Sequence, residues 1–176
     1  MAVTTVERPG AITFAGNPVT LVGPKIEVGQ QAPDFQVVDT EFKPRSLADY
    51  RGHVVLIASV PSLDTGVCSA ETRRFNQEAA GFSADVRVLT ISMDLPFAQK
   101  RWCGAEGIDR VTTLSDHKEA SFGVAYGTLI KERRLLARAV FVVDRNGRVG
   151  YVEYVPEVTQ HPNYEKAIEA VRKATG

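Results

Sequence analysis

The feature that most constrains this chain is its longest apolar run, Val54-Val55-Leu56-Ile57-Ala58-Ser59-Val60. It falls far short of the roughly 20 residues needed to cross a bilayer, and it lacks the polar alternation of a half-exposed strand, so it reads as a buried strand. A helix-compatible stretch follows from about Gly66 to Ala80, and then a second β-branched run, Val86-Arg87-Val88-Leu89-Thr90-Ile91-Ser92. Strand, helix and strand in that order predict a βαβ unit.

The pattern continues with a helix around Phe97 to Trp102, a strand at Val111-Thr112-Thr113-Leu114 and a helix from Lys118 toward Phe122. Ala139 to Asp144 and Val149 to Tyr154 flank Arg145-Asn146-Gly147, and an Asn-Gly pair between strand-like runs predicts a hairpin. A closing helix spans roughly Tyr164 to Lys173, with Ala167, Ile168 and Val171 spaced to form one buried face. At the other end, Ile12-Thr13-Phe14 and Val19-Thr20-Leu21 alternate around Gly16-Asn17-Pro18, which predicts an N-terminal β-hairpin over about 11–22. Ser46 to Tyr50, stopped by Gly52, reads as a short helical turn. The fold class is α/β.

At 176 residues with 44% hydrophobic content, the chain suffices for one domain over 1–176 with a substantial core. Lys plus Arg and Asp plus Glu both number 21, which leaves no broad charge footprint for nucleic acid or acidic lipid. The opening Met1 to Arg8 lacks a basic segment followed by an apolar stretch, so a cytoplasmic protein is expected. Two cysteines are too few for a disulfide-stapled secreted scaffold, and any disulfide is expected to be catalytic. His53, His117 and His161 form no ligand cluster with the widely spaced cysteines, so no metal is expected.

Between the buried strand and the first long helix lies Pro61-Ser62-Leu63-Asp64-Thr65-Gly66-Val67-Cys68. With Thr65 as N-cap, Cys68 falls at N3, where free amides and the helix dipole favour a thiolate. The thiolate is the reactive form of a group whose free-state pKa is about 8.5. Position alone leaves two readings open, because Cys68 also shares a helical face with Phe75 and Ala79 and would serve as a buried structural cysteine. Thr65 by itself reads as an ordinary cap whose hydroxyl accepts from a helix amide. Pro61 reads as a plain loop proline and Cys103, beside Trp102, as a packed residue.

Pro61, Thr65 and Cys68 give the pattern Pro-x-x-x-Thr-x-x-Cys, which resembles the active-site motif of the peroxiredoxins. The longer string from Pro61 to Cys68 is similar to the thiol peroxidase branch of that family. Further similarity lies in Gly16 to Leu21, Ala32-Pro33-Asp34-Phe35, Phe97-Ala98-Gln99, Cys103 to Gly107, and Leu136-Ala137-Arg138-Ala139-Val140.

The resemblance implies a thioredoxin-like fold, a mixed central sheet flanked by helices, with the hairpin added. It implies that Cys68 attacks the distal peroxide oxygen and becomes a sulfenic acid, and that Cys103, which follows it by 35 positions, resolves this as an intramolecular disulfide, a reversible route on the oxidation ladder. Thr65, Arg138 and the Cys68 amide would orient the peroxide, and Pro61 would shape and shield the loop. Only the match to Leu-Ala-Arg-Ala-Val singles out Arg138 from the run Lys131-Glu132-Arg133-Arg134, which reads as a solvated loop. Thioredoxin as reductant, hydrogen peroxide and organic hydroperoxides as substrates, a homodimer and no cofactor are also implied. The Cα atoms of a disulfide lie within about 7 Å, so two cysteines on separate helices imply local unwinding in turnover. Two other readings stay open. A disulfide carrier would normally use Cys-x-x-Cys, but residue 71 is Glu71; a redox sensor needs the thiols without the peroxide-positioning set.

Overall fold

The structure, a computed structural model, describes residues 5–176; Met1 to Thr4, part of the segment read for a secretory signal, lie outside them. In chain order the elements are β1 (Glu7–Phe14), β2 (Asn17–Val22), β3 (Gln36–Val38), β4 (Pro44–Ser46), a 3-10 turn (Leu47–Tyr50), β5 (Val54–Ser59), α1 (Gly66–Ala79), β6 (Val86–Ser92), α2 (Pro96–Glu106) and β7 (Thr112–Ser115). They continue with α3 (Ser121–Ala125), β8 (Leu129–Ile130), β9 (Leu135–Leu136), β10 (Ala139–Val143), β11 (Val149–Tyr154) and α4 (Tyr164–Thr175).

Seven strands form a mixed sheet in the order β11-β10-β5-β6-β7-β3-β4. β5, β6 and β7 run parallel, whereas β10 pairs antiparallel with β5 on one side and β3 with β7 on the other. The apolar run occupies β5, all six of whose residues are buried because both sheet faces are covered. Val55 and Ile57 point into a core with Leu89, Phe122, Tyr126 and Phe141, while Val54, Leu56 and Ala58 meet Phe75, Val140, Ala167 and Val171 on the opposite face. Each large side chain so buried contributes about 1.5–3 kcal/mol.

The N-terminal hairpin is present, but its turn is Ala15-Gly16 rather than Gly16-Asn17-Pro18. Asn17 and Pro18 already pair with Phe14 and Thr13. A tight two-residue hairpin turn needs consecutive positive φ values, which Ala15 (50°) and Gly16 (82°) supply and a proline ring forbids. β2 also pairs with β8, so the hairpin belongs to a second sheet, β1-β2-β8-β9.

Two further expectations are corrected. The helix placed at Phe97 to Trp102 runs on to Glu106, where Gly107 ends it at φ 66°, so Cys103 lies inside α2. The helix expected from Lys118 starts only at Ser121. Ala120 is held in the left-handed region, and the buried Asp116 carboxylate accepts from the Phe122 and Gly123 amides, fixing the helix start from outside its own sequence.

Candidate active site

β5 delivers the chain into the loop from Val60 to Thr65 at the carboxyl edge of the parallel strands, where α/β sheets place ligand sites. Thr65, in extended conformation, caps α1. Its Oγ1 accepts from the Cys68 amide at 3.3 Å, which sets Cys68 at N3 in the first helical turn. The Thr65 hydroxyl proton points to the Ser62 carbonyl at 3.2 Å and not to the sulfur, so in this state both the hydroxyl and the Cys68 amide are engaged locally. Pro61, near the start of this loop, is buried.

Cys68 is fully buried, and its Sγ accepts from Arg138 Nη2 at 3.1 Å. Arg138, the last residue before β10, is buried, its side chain only 2% exposed. Nε donates to the Val158 carbonyl at 2.8 Å and Nη1 to Glu71 Oε2 at 2.6 Å, so all three faces of the fork are fixed. Burial works against the Arg138 charge, but the Glu71 carboxyl and the Cys68 sulfur raise its pKa above the ordinary guanidinium value. Glu71 is wholly buried; burial pushes its pKa up to about 7 against the pull of Arg138. The neighbouring Lys131 to Arg134 segment is exposed, as its charge pattern predicts.

Cys103 is free, as is Cys68. It sits half-buried on α2, packed at the rim of a small cluster of Val60, Leu63, Cys68 and Trp102. Its Sγ lies 3.5 Å from Thr113 Oγ1. Burial pushes the Cys103 thiol up and the Thr113 contact pulls it partly back. The thiol borders a cleft of about 280 Å³ that Asp39, Thr40 and Lys100 also line.

Sequence reasoning missed two residues. Glu71 stood only as the absence of a second cysteine; the signal was a carboxylate three positions after Cys68, on the apolar face that Phe75 continues. Asp94 follows β6 at the same sheet edge. Its Oδ1 accepts from Ser62 Oγ at 2.7 Å and its Oδ2 from the Leu63 amide and Ser92 Oγ, each at 2.8 Å, so it ties the Cys68 loop to the segment that leads into α2. Among the described residues no group of three or more His, Cys, Asp or Glu could hold a metal, and no helix is long and apolar enough to cross a membrane.

A mixed, helix-flanked sheet carrying a cysteine at a helix N-terminus under a buried arginine defines a class, the thioredoxin-like proteins with a cysteine in the first helical turn. The chain belongs to the Redoxin family, whose model matches residues 27–168. It is 63% identical over 161 residues to a thiol peroxidase of Bacillus subtilis (strain 168), covering 92% of this chain and 96% of that one. Among solved structures, a peroxiredoxin-like protein from Aquifex aeolicus superposes with a TM-score of 0.87 at 42% identity, covering 98% of this chain and 99% of that one. A thiol peroxidase from Chromobacterium violaceum shares the fold, with a TM-score of 0.84 at 18% identity over 93% of this chain and 96% of that one.

Proposed function

We propose that this chain is a thiol-dependent peroxidase that reduces hydrogen peroxide and organic hydroperoxides at Cys68. The observation that carries the reading is the buried Cys68 sulfur, 3.1 Å from Arg138 Nη2 at the start of α1. A guanidinium and a helix N-terminus both favour a thiolate over a thiol. The same positive groups favour the oxygen that becomes negative as the peroxide bond breaks.

The thiolate attacks the distal peroxide oxygen. The S–O bond forms, the O–O bond breaks, and the leaving oxygen takes one proton to become water or an alcohol. Cys103 then attacks the sulfenic acid, forming the disulfide and expelling water, and a dithiol such as thioredoxin re-reduces it. Thr65 holds the first turn in register, and Pro61, with its fixed φ, shapes the entry to the loop. Because Cys103 lies within α2 and Cys68 within the first turn of α1, resolution requires that both turns unwind.

In this reading the whole chain acts as one domain, in the cytoplasm and as a homodimer. Peroxide-dependent turnover with thioredoxin, its reductase and reduced nicotinamide cofactor tests the activity. Cys68→Ser is expected to lose all peroxide reduction, and Cys103→Ser to keep one stoichiometric reaction but lose thioredoxin-coupled turnover. Oxidation of the parent by peroxide without turnover would replace the peroxidase with a sensor.

A further inference from the structure

Arg138 carries one positive charge and faces two acids. Its Nη2 reaches Cys68 Sγ at 3.1 Å and its Nη1 reaches Glu71 Oε2 at 2.6 Å, with all three side chains buried. The trio is neutral when one acid is ionised and carries an uncompensated buried charge when both are, which is costly away from water. With ordinary pKa values of about 4.3 and 8.5 the carboxyl would ionise first and the sulfur would stay a thiol.

The surroundings of Glu71 work against its ionisation. Its Oε1 has no hydrogen-bond partner and its side chain is fully buried, so an ionised carboxylate would leave a charged oxygen unsolvated. Glu153 on β11 faces it with like charge. From α4, Tyr164 lies within electrostatic reach of Glu71, Arg138 and Cys68, and its phenol is kept neutral by burial, which pushes it up to about 12. Arg74, on the next turn of α1, is engaged with Glu78 and Glu165. Arg138 is thus the only cation in the structure bonded to Glu71 among the described residues.

We propose that Glu71 is a positioning residue of the Cys68 site that holds its proton while the sulfur is a thiolate, leaving the Arg138 charge to the sulfur, and releases that proton when the thiolate is consumed. The two acids titrate as one coupled pair across a shared guanidinium. Thiolate, carboxylic acid and hydroperoxide become sulfenic acid, carboxylate and alcohol: one proton leaves Glu71 as one is taken up by the leaving oxygen, and the buried trio stays neutral throughout. The inference rests on Cys68 being the peroxide-reactive thiol, but its test does not.

The test is infrared difference spectroscopy near neutral pH on protein carrying Cys103→Ser, in which Cys68 is the sole thiol. Iodoacetamide removes the thiolate charge without any peroxidase chemistry. Alkylation is expected to convert one protonated-carboxyl band per chain into a carboxylate band, and the change is expected to be absent when Glu71→Gln is added. Hydroperoxide in place of iodoacetamide is expected to give the same change. No protonated-carboxyl band in the reduced protein, or a band that survives alkylation, would overturn the proposal, whereas failure of the peroxide arm alone would count against the peroxidase reading. Should Glu71→Gln fail to fold, carboxyl carbon-13 NMR of the protein carrying Cys68→Ser reads the same linkage. Glu71 is expected to be ionised there near neutral pH, and a Glu71 that stays protonated without a thiolate beside it overturns the coupling.

Discussion

Cys68 and Cys103 adjoin the same small apolar cluster, yet they are held in opposite ways. The first is fully buried at a helix N-terminus with a guanidinium on its sulfur; the second is half-buried within a helix, with one contact to a hydroxyl and a cleft beside it. Burial without a cation raises a thiol pKa, and that is the direction at Cys103. In the proposed cycle the first region serves the sulfur that meets the peroxide, and the second holds a thiol that acts only once its helix opens.

The contrast depends most on Arg138. Arg138→Lys keeps a charge but cannot reach Val158, Glu71 and Cys68 at once, and it is expected to lower the second-order rate constant with peroxide by about 10²–10³-fold. Stopped-flow kinetics on the Cys103→Ser background checks this, and a rate within twofold of the parent would remove Arg138 from the site.

Next in size is the pH dependence of stability set by Glu71. Its folded-state pKa is raised from 4.5 to about 7, so between those values the unfolded chain loses this proton before the folded one. The stabilisation is complete below about pH 4.5 and is lost as pH rises toward 7. Relative to Glu71→Gln, which cannot ionise, the parent is expected to lose about 3 kcal/mol over that window. Urea unfolding of both proteins across the window measures it; parallel curves would mean that Glu71 folds as an ordinary carboxylate.

How much of this contrast was legible beforehand differs by element. The bounds of β5, β6 and α1 followed from the sequence because a two-faced apolar run, a β-branched run and a Thr-Gly cap each state their structure locally. β3, β4, β8 and β9, at two or three residues, are too short to carry a period. They form only because neighbouring strands offer an edge. α3 begins where Asp116 caps it across a turn. The resemblance to the peroxiredoxins selected Cys68, Thr65, Pro61, Cys103 and Arg138, and the structure brings Thr65 and Arg138 each into direct contact with Cys68. Charge pattern alone could not separate Arg138 from the exposed basic run before it, because burial is decided by strands far away in sequence. Glu71 was hidden for the same reason.

Asp94 sharpens the comparison from the loop side. Asp94→Asn replaces one acceptor oxygen with a donor and is expected to cost about 1–3 kcal/mol. It should also raise amide hydrogen exchange across Ser62 to Thr65 without touching α4. Unaltered exchange in the loop would show that Asp94 does not hold it.

The smallest effect is expected at Thr113. Its contact lowers the Cys103 pKa, so Thr113→Val is expected to raise it and to slow alkylation of Cys103 a few-fold, as befits a hydrogen bond worth about 0.5–1.5 kcal/mol. Alkylation on a Cys68→Ser background isolates the effect, and faster labelling would contradict it.

The central claim, that Cys68 takes the oxygen and Cys103 closes the cycle, is tested most directly by mass spectrometry after one equivalent of hydroperoxide under non-reducing conditions. The parent is expected to yield an intramolecular Cys68–Cys103 disulfide, and Cys103→Ser a sulfenic acid on Cys68. Sulfenic acid on Cys103 in the Cys68→Ser protein at the parent's rate, or a parent disulfide that links two chains through Cys68 alone, would contradict the account.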